Sequence, residues 1–157
     1  GGAWRDLLAW RGFSPDPQWV RITAAIVAYG LVAGYVIVKL YPEAKGWFVI
    51  PRTGPGIFFT VLLAVVMAPV TEELLFRGWL YSALRHRFSF VVTLLATSLL
   101  FAVAHFERTG LYALAVFPVG LVFGFMRERT GSVFATMTAH AIYNGAAVLA
   151  KLLLPNL

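Results

Sequence analysis

The stretch IFFTVLLAVVMAPVTEELLFRGWLYSAL, residues 57–84, decides the fold, because it is long enough to cross a bilayer yet carries charges near its centre. A hydrocarbon core of ~30 Å requires about 20 mostly apolar residues in a helix. A charged side chain at that depth costs at least ~2.5–3.5 kcal/mol on insertion scales. Glu72, Glu73 and Arg77 therefore predict a membrane helix whose polar residues face a protein interior or a cavity rather than lipid.

The rest of the chain also has the composition of an integral membrane protein. Its 157 residues are 60% hydrophobic and 13% charged, whereas soluble domains are roughly 45–50% apolar and about 25% charged. This composition excludes a disordered chain and argues against a water-soluble monomer. The net charge of +6 comes from basic residues that lie between apolar blocks, where they anchor membrane spans. We therefore expect a lipid bilayer, and no nucleic acid, as the partner of this surface.

Five apolar segments predict an all-α fold, a polytopic transmembrane helical bundle of about five spans. Each span should be helical, because an open strand edge would leave backbone groups unsatisfied in lipid. The expected spans are 22–40, 57–84, 88–106, 111–126 and 132–154. Residues 41–56, which are rich in Pro and Gly, are expected to form an interfacial loop. The balance of Lys and Arg between the two sides favours a cytoplasmic N-terminus.

Residues 1–21 predict an interfacial N-terminal segment, followed by a single transmembrane domain over residues 22–157. The tryptophans of this segment alternate with Arg and Asp, and such a mixture is typical of the membrane–water interface. Pro15 and Pro17 are expected to interrupt any helix here.

Two glutamates of the 57–84 span have different expected roles. Glu73 and Arg77 stand at i and i+4 with the acid on the N-terminal side, the favoured order for an intrahelical ion pair. Glu72 points about 100° away around the helix, so the same arginine does not serve it. Glu72 is therefore the better candidate for a reactive carboxylate.

Two later spans add imidazole and carboxamide groups. His140 and Asn144 share one helix face, and His105 lies at the end of the 88–106 span. A lone membrane histidine is usually a hydrogen-bonding group between helices. A carboxylate, two imidazoles and a carboxamide together can activate water and bind an oxyanion. Counting ~1.5 Å of rise per residue, the four side chains can meet near the middle of the bilayer.

These residues resemble, in order and spacing, the motifs of a known family of intramembrane proteases. The family is that of the CAAX proteases and bacteriocin-processing enzymes (CPBP, or Abi), which includes the type II prenyl-protein endopeptidases. The resemblance covers about residues 57–150. The matching motifs are Glu72-Glu73-x-x-x-Arg77, Phe101-x-x-x-His105 and His140-x-x-x-Asn144.

The resemblance implies an intramembrane endopeptidase, a protease domain in a bacterial inner membrane. Glu72 would activate water with the help of His105, and His140 and Asn144 would bind the oxyanion. Glu73 and Arg77 would give structural support. The expected substrate is a membrane-anchored protein, cleaved near its C-terminal membrane segment or sorting tail. CAAX specificity does not follow, because the eukaryotic prenyl-protein members have more spans than this chain.

The need for a metal is the open question of this resemblance. Glu72, His105 and His140 could supply three zinc ligands with an open fourth position. The chain has no cysteine and no HExxH motif, and no second carboxylate looks free to orient the histidines. These features favour a glutamate mechanism with no metal and no cofactor, and zinc is the alternative.

Two other functions compete with proteolysis. A non-proteolytic bacteriocin-immunity or scaffold protein of the same fold would have no reason to bury Glu72, His105, His140 and Asn144. A proton-coupled transporter would also place Glu and His within its spans. Transporters usually show internal repeats, and this sequence shows none.

Overall fold

The computed structural model describes residues 3–42 and 49–154, and within these ranges the chain is helical and forms no strand. This confirms the all-α prediction. Of the loop expected over 41–56, residues 43–48 lie outside the described residues. The helices are α1 (Ala3–Leu7), α2 (Pro17–Leu40), α3 (Gly54–Arg85), α4 (Phe90–Ala104), α5 (Leu111–Thr130) and α6 (Val133–Leu153).

Four of the described helices, α2, α3, α5 and α6, are long and apolar enough to cross a membrane. Helix α4 has 15 residues and extends over about 22 Å, less than the ~30 Å of a hydrocarbon core. It is shorter than the span expected over 88–106, because Ser89 caps its start and His105 leaves helical geometry. Large apolar side chains on these helices point outward. The chain is an integral membrane protein.

Helix α2 begins at Pro17, earlier than the start expected at Ile22. Asp16 caps the helix, since its Oδ1 accepts a hydrogen bond of 2.7 Å from the backbone N–H of Trp19. Proline is favoured in the first turn of a helix, where its missing N–H is not needed. Pro17 therefore begins a helix here and does not interrupt one.

The N-terminal segment packs against the turn between α5 and α6. The backbone N–H of Val133 donates to the carbonyl of Ala9 at 3.0 Å, and the Ser132 hydroxyl donates to the carbonyl of Arg11. The turn itself depends on Gly131, whose φ of 65° lies in the left-handed region. The segment predicted to be interfacial is thus also tied to the helical bundle.

Helices α4 and α5 approach each other to backbone contact. A Cβ atom on Gly120 would lie 3.1 Å from the Cα of Ser98, so a small residue is required at this crossing. A separate apolar core joins α2, α5 and α6. Its buried members are Trp19, Ile26, Val119, Phe123, Met126, Ala135 and Ala139.

Helix α3 is continuous, but two of its segments have π-helical hydrogen bonding. These segments, Leu62–Met67 and Leu74–Leu80, lie on either side of the α-helical turns Ala68–Glu73. π-Helical turns often occur at functional sites, where they change the direction of side chains. The two glutamates of interest lie at the end of the α-helical part.

Candidate active site

Glu72 and His105 form the part of the site that is open to the surroundings. His105 Nε2 lies 3.5 Å from Glu72 Oε2, and the Glu72 side chain is 28% exposed. His105 Nδ1 lies 2.7 Å from the carbonyl oxygen of Phe101. Because a carbonyl only accepts hydrogen bonds, this contact assigns the proton to Nδ1. Nε2 then presents a lone pair to the carboxylate.

Glu73 lies in a fully buried cluster on the neighbouring face of the helix, about 100° around from Glu72. Arg77 Nη1 donates to Glu73 Oε1 at 3.1 Å, and both side chains are completely buried. The expected ion pair is therefore present. His140 Nδ1 lies 2.9 Å from the same oxygen. The expectation that no second carboxylate could orient a histidine was wrong, because one carboxylate oxygen accepts from two donors.

The buried arginine of this cluster has further partners. Arg77 Nη2 donates to the carbonyl of Gly120 at 3.1 Å. The guanidinium carbon lies 4.1 Å from the centre of the Phe101 ring, a cation–π geometry that is favourable for a desolvated cation. A charge inside a membrane protein is tolerated when such partners surround it.

His140 connects the two glutamates. Its Nδ1 faces Glu73, and its Nε2 lies 4.0 Å from Glu72 Oε2. The Phe123 ring lies 5.1 Å away, centroid to centroid, and limits the tilt of the imidazole. Glu72 Oε2 is thus flanked by the Nε2 atoms of His105 and His140. This oxygen is buried and accepts no hydrogen bond from the described part of the chain.

Asn144 lies one turn beyond His140 and contacts α3. Its Nδ2 donates to the carbonyl of Ala64 at 2.7 Å. In the π-helical segment the N–H of Ala68 bonds to Leu63, and the next residue, Pro69, has no N–H to offer Ala64. The asparagine therefore supplies a hydrogen bond that the helix itself cannot make.

A cavity of about 360 Å³ reaches the site from between α2, α3, α5 and α6. Glu72, His105 and Asn144 lie on its wall, and much of the remaining wall is apolar or small. The volume falls within the ~300–1,000 Å³ of typical ligand sites. The structure thus brings Glu72, His105 and His140 together, and it places Asn144 on the same cavity.

One residue near His105, Glu107, was missed by the sequence analysis. The Glu107 carboxylate accepts hydrogen bonds from the Thr109 N–H at 2.6 Å and from the Tyr112 N–H at 3.1 Å. The Thr109 hydroxyl also donates to Glu107, and this bond is the main reason that the pKa of Glu107 is lowered. The Tyr112 ring packs at 5.8 Å from His105. An acidic residue just before an apolar run is a helix-start signal that could have revealed this cap.

The side chains that would hold zinc in the alternative mechanism are Glu72, His105 and His140. Within residues 3–42 and 49–154, no group of three or more His, Cys, Asp or Glu side chains is placed to hold one metal ion. The Nε2 atoms of His105 and His140 lie 3.5 and 4.0 Å from Glu72 Oε2.

Curated relatives resemble this chain over much of its length. It is 27% identical over 147 residues to the membrane-embedded CAAX protease MroQ of Staphylococcus aureus, a match that covers 85% of this chain and 57% of the relative. It is 36% identical over 133 residues to the uncharacterized protein YpbD of Bacillus subtilis, with coverages of 79% and 63%. An uncharacterized 24.3 kDa protein of Escherichia coli is 37% identical over 89 residues, with coverages of 55% and 41%.

These matches leave part of each relative uncovered, since the chain spans 41–63% of the three relatives' own lengths. No solved structure matches the chain. Residues 54–146, however, match the family described as "Type II CAAX prenyl endopeptidase Rce1-like". This range contains α3, α4, α5 and the part of α6 that carries His140 and Asn144. The chain therefore belongs to the type II CAAX prenyl endopeptidase (Rce1-like) family, as its three motifs predicted.

Proposed function

We propose that the protein is an intramembrane endopeptidase that cleaves a membrane-tethered protein near its C-terminal membrane segment or tail. The observation that carries the proposal is the pair formed by Glu72 and His105. Glu72 and His105 both lie on the wall of a cavity, and the nearest atoms of their carboxylate and imidazole groups are 3.5 Å apart. Neither atom can donate a hydrogen bond to the other in these protonation states, so both can accept from one water molecule.

The proposed first step is attack of this water on a peptide carbonyl. The water donates one hydrogen to Glu72 and the other to His105 Nε2, which directs an oxygen lone pair at the substrate. Glu72 takes the proton as the new bond between oxygen and carbon forms, and the carbonyl oxygen becomes negative. When the bond between carbon and nitrogen breaks, Glu72 returns the proton to the leaving amine. This is general acid–base catalysis by a single carboxyl group.

The proposed oxyanion donors are His140 and Asn144. Nδ1 of His140 faces Glu73 at 2.9 Å, so donation from Nε2 requires the imidazolium form. Nδ2 of Asn144 uses one hydrogen for Ala64 and carries a second one. Preorganised donors of this kind are typically worth ~10²–10³-fold in rate each.

The proposed substrate is tethered to the membrane because the cavity lies among membrane helices. The Staphylococcus aureus relative is named a membrane-embedded CAAX protease, and a prenylated tail and a sorting tail are both tethered C-terminal peptides. The proposal is limited to this shared chemistry. The protein partner is thus a membrane-anchored polypeptide.

The test is cleavage of vesicle-embedded C-terminal-tail peptides by purified protein, with Glu72→Gln as the decisive variant. Loss of the general base should lower turnover by about 10²–10⁴-fold while the folded fraction in detergent stays unchanged. Glu128→Gln is the matched control, because Glu128 pairs with Arg85 at the far end of α3, away from the cavity. This variant should cleave like wild type. Full turnover by Glu72→Gln would contradict the proposal.

A chelator arm separates the glutamate mechanism from the zinc alternative. Turnover that survives chelation is the expected result. Turnover that is lost on chelation and restored by zinc would overturn the metal-free part of the proposal and leave the peptidase assignment intact. No turnover by wild type on a broad set of tethered peptides would contradict proteolysis itself and favour the non-proteolytic alternative.

A further inference from the structure

The residues of α2 that line the cavity indicate what kind of molecule can enter it. Helix α2 packs mainly on α5 and α6, and the cavity has both α2 and α3 in its wall. Several lining positions are small, namely Gly30, Ala33 and Gly34 of α2 and Ala64 and Ala68 of α3, and larger α2 side chains such as Leu31 and Ile37 line the cavity beside them. A slot between two helices therefore leads to the candidate active site.

Two glycines of this wall, Gly30 and Gly34, differ in the space that surrounds their Cα atoms. A Cβ atom on Gly30 would lie 2.3 Å from Cε2 of Tyr143, so packing between α2 and α6 requires Gly30 to lack a side chain. A Cβ atom on Gly34 would meet nothing within 4 Å. Glycine in a helix interior is less favourable for helix stability than alanine. The packing of the described residues thus gives no reason for this cost at Gly34.

The cavity itself gives that reason. Gly34 and Glu72 are on the wall of the same cavity, so a molecule that fills it from α2 inward reaches the reactive carboxylate. The wall of this cavity is mostly apolar, which matches apolar side chains rather than charged ones. An extended peptide that reaches Glu72 through this cavity would therefore also pass along the part of the wall that Gly34 lines.

We propose that Gly34 is a specificity-determining residue, which leaves room for the apolar residues beside the scissile bond of a membrane-tethered peptide lying between α2 and α3. This inference rests on the proposed function, because it assigns a route to the same site. A side chain at position 34 would fill the room and exclude large substrate residues first. Gly30 cannot serve in this way, since its space is already occupied by Tyr143.

Cross-linking tests the location of the substrate without requiring cleavage. The chain has no cysteine, so Gly34→Cys in a Glu72→Gln background carries a single thiol. The probe is a tail peptide with one cysteine beside the scissile position, embedded in phosphatidylcholine vesicles. The matched control is Ala28→Cys, which lies on the exposed side of α2 outside the cavity. We expect a disulfide cross-link at position 34 at least ~10-fold more abundant than at position 28, and equal or absent cross-linking at both would overturn the inference.

A size series tests specificity in the active enzyme. Gly34→Ala and Gly34→Leu should progressively lower kcat/KM for peptides with a large residue beside the scissile bond, by about 10-fold or more for leucine. Peptides with alanine at that position should be affected several-fold less. Both variants should remain folded, because alanine and leucine favour a helix over glycine. Ala28→Leu should cleave both peptides like wild type.

The outcomes separate this inference from the proposed function. If Gly34→Leu cleaves both peptides like wild type, or loses both equally, the specificity role is contradicted even though wild type is a peptidase. If wild type cleaves nothing while position 34 still cross-links selectively, the peptidase proposal fails and the binding route stands. A cross-link that is unaffected by competing cysteine-free peptide would indicate a nonspecific lipid-facing position and would overturn the inference.

Discussion

Glu72 and Glu73 are neighbours in the sequence, yet the bundle gives them opposite environments. Glu73 is completely buried and bonds to Arg77 and His140. Glu72 is 28% exposed, faces the cavity and lies beside an imidazole lone pair. The rotation of about 100° per residue in a helix is enough to direct one carboxylate into the protein core and the other towards a substrate. The lesson is that the partners of each carboxylate, rather than the motif alone, separate a supporting role from a reactive one.

The largest expected effect on stability comes from removing the charge of the buried Glu73, which pairs with Arg77. Glu73→Gln leaves Arg77 as a buried cation without its counter-ion, which should cost ~3–5 kcal/mol of unfolding free energy. Glu72→Gln should change the unfolding free energy by less than ~1 kcal/mol, because Glu72 is partly solvated and is not ion-paired with arginine. Denaturant titration in detergent, followed by helical circular dichroism, measures both values.

A double variant distinguishes a charge effect from a packing effect. Glu73→Leu combined with Arg77→Met removes both charges, and buried pairs replaced by apolar groups are often tolerated. We expect it to recover more than half of the stability that Glu73→Gln loses. Its activity should remain low, because His140 has lost the carboxylate at its Nδ1. Recovery of full activity would contradict the link between Glu73 and His140.

A smaller effect is expected at the contact between α6 and α3. Asn144→Leu keeps the side-chain size but leaves the Ala64 carbonyl without its donor, which should cost about 1–3 kcal/mol. Pro69→Ala restores an N–H within α3 that can reach this carbonyl. In the Pro69→Ala background the same substitution should therefore cost at least ~0.5 kcal/mol less, a coupling that a double-mutant cycle resolves. Equal costs in both backgrounds would show that the proline does not create the need for Asn144.

The sequence predicted the parts of this site that depend on one helix. The ion pair between Glu73 and Arg77 follows from i, i+4 spacing, and the helical spans follow from hydropathy and length. The contact between His140 and Glu73 depends on how α6 is rotated against α3. Two π-helical segments change that rotation, and apolar periodicity does not reveal them. Tertiary contacts of this kind were therefore missed although the motifs were found.

The residues that begin and cap two of the helices were also not predicted correctly from the sequence. Asp16 followed by Pro17 is a strong helix start, but proline was interpreted as a helix breaker and α2 was expected to begin too late. The role of Glu107 does not follow from hydropathy, because it depends on three hydrogen bonds that the carboxylate accepts within a local turn. The catalytic roles of Glu72 and its neighbours stay predictions, and the cleavage assay with Glu72→Gln tests them.

The smallest expected effect concerns an ion pair at the opposite, solvent-accessible end of the bundle. Asp16 Oδ2 lies 2.6 Å from Arg129 Nη2. The hydrogen bond from Arg129, followed by that from the Trp19 N–H, lowers the pKa of Asp16 below its usual value of 3.8. A lowered pKa means that this contribution to stability is complete above pH 3.8 and is lost as the pH falls through the lower value of the folded state. Asp16→Asn should remove the ion pair while it retains the helix cap, because asparagine caps as well as aspartate.

The thermal unfolding temperatures of wild type and Asp16→Asn should therefore differ slightly at pH 7 and converge as the pH falls below about 3.8. High salt should also reduce the difference, because exposed charges are screened. Asp6→Asn is the control, since the pair of Asp6 with Arg11 is more exposed, at 69% and 63%, and should contribute less. A difference that grows on acidification would mean that the Asp16 side chain acts through the cap at Trp19 and not through Arg129.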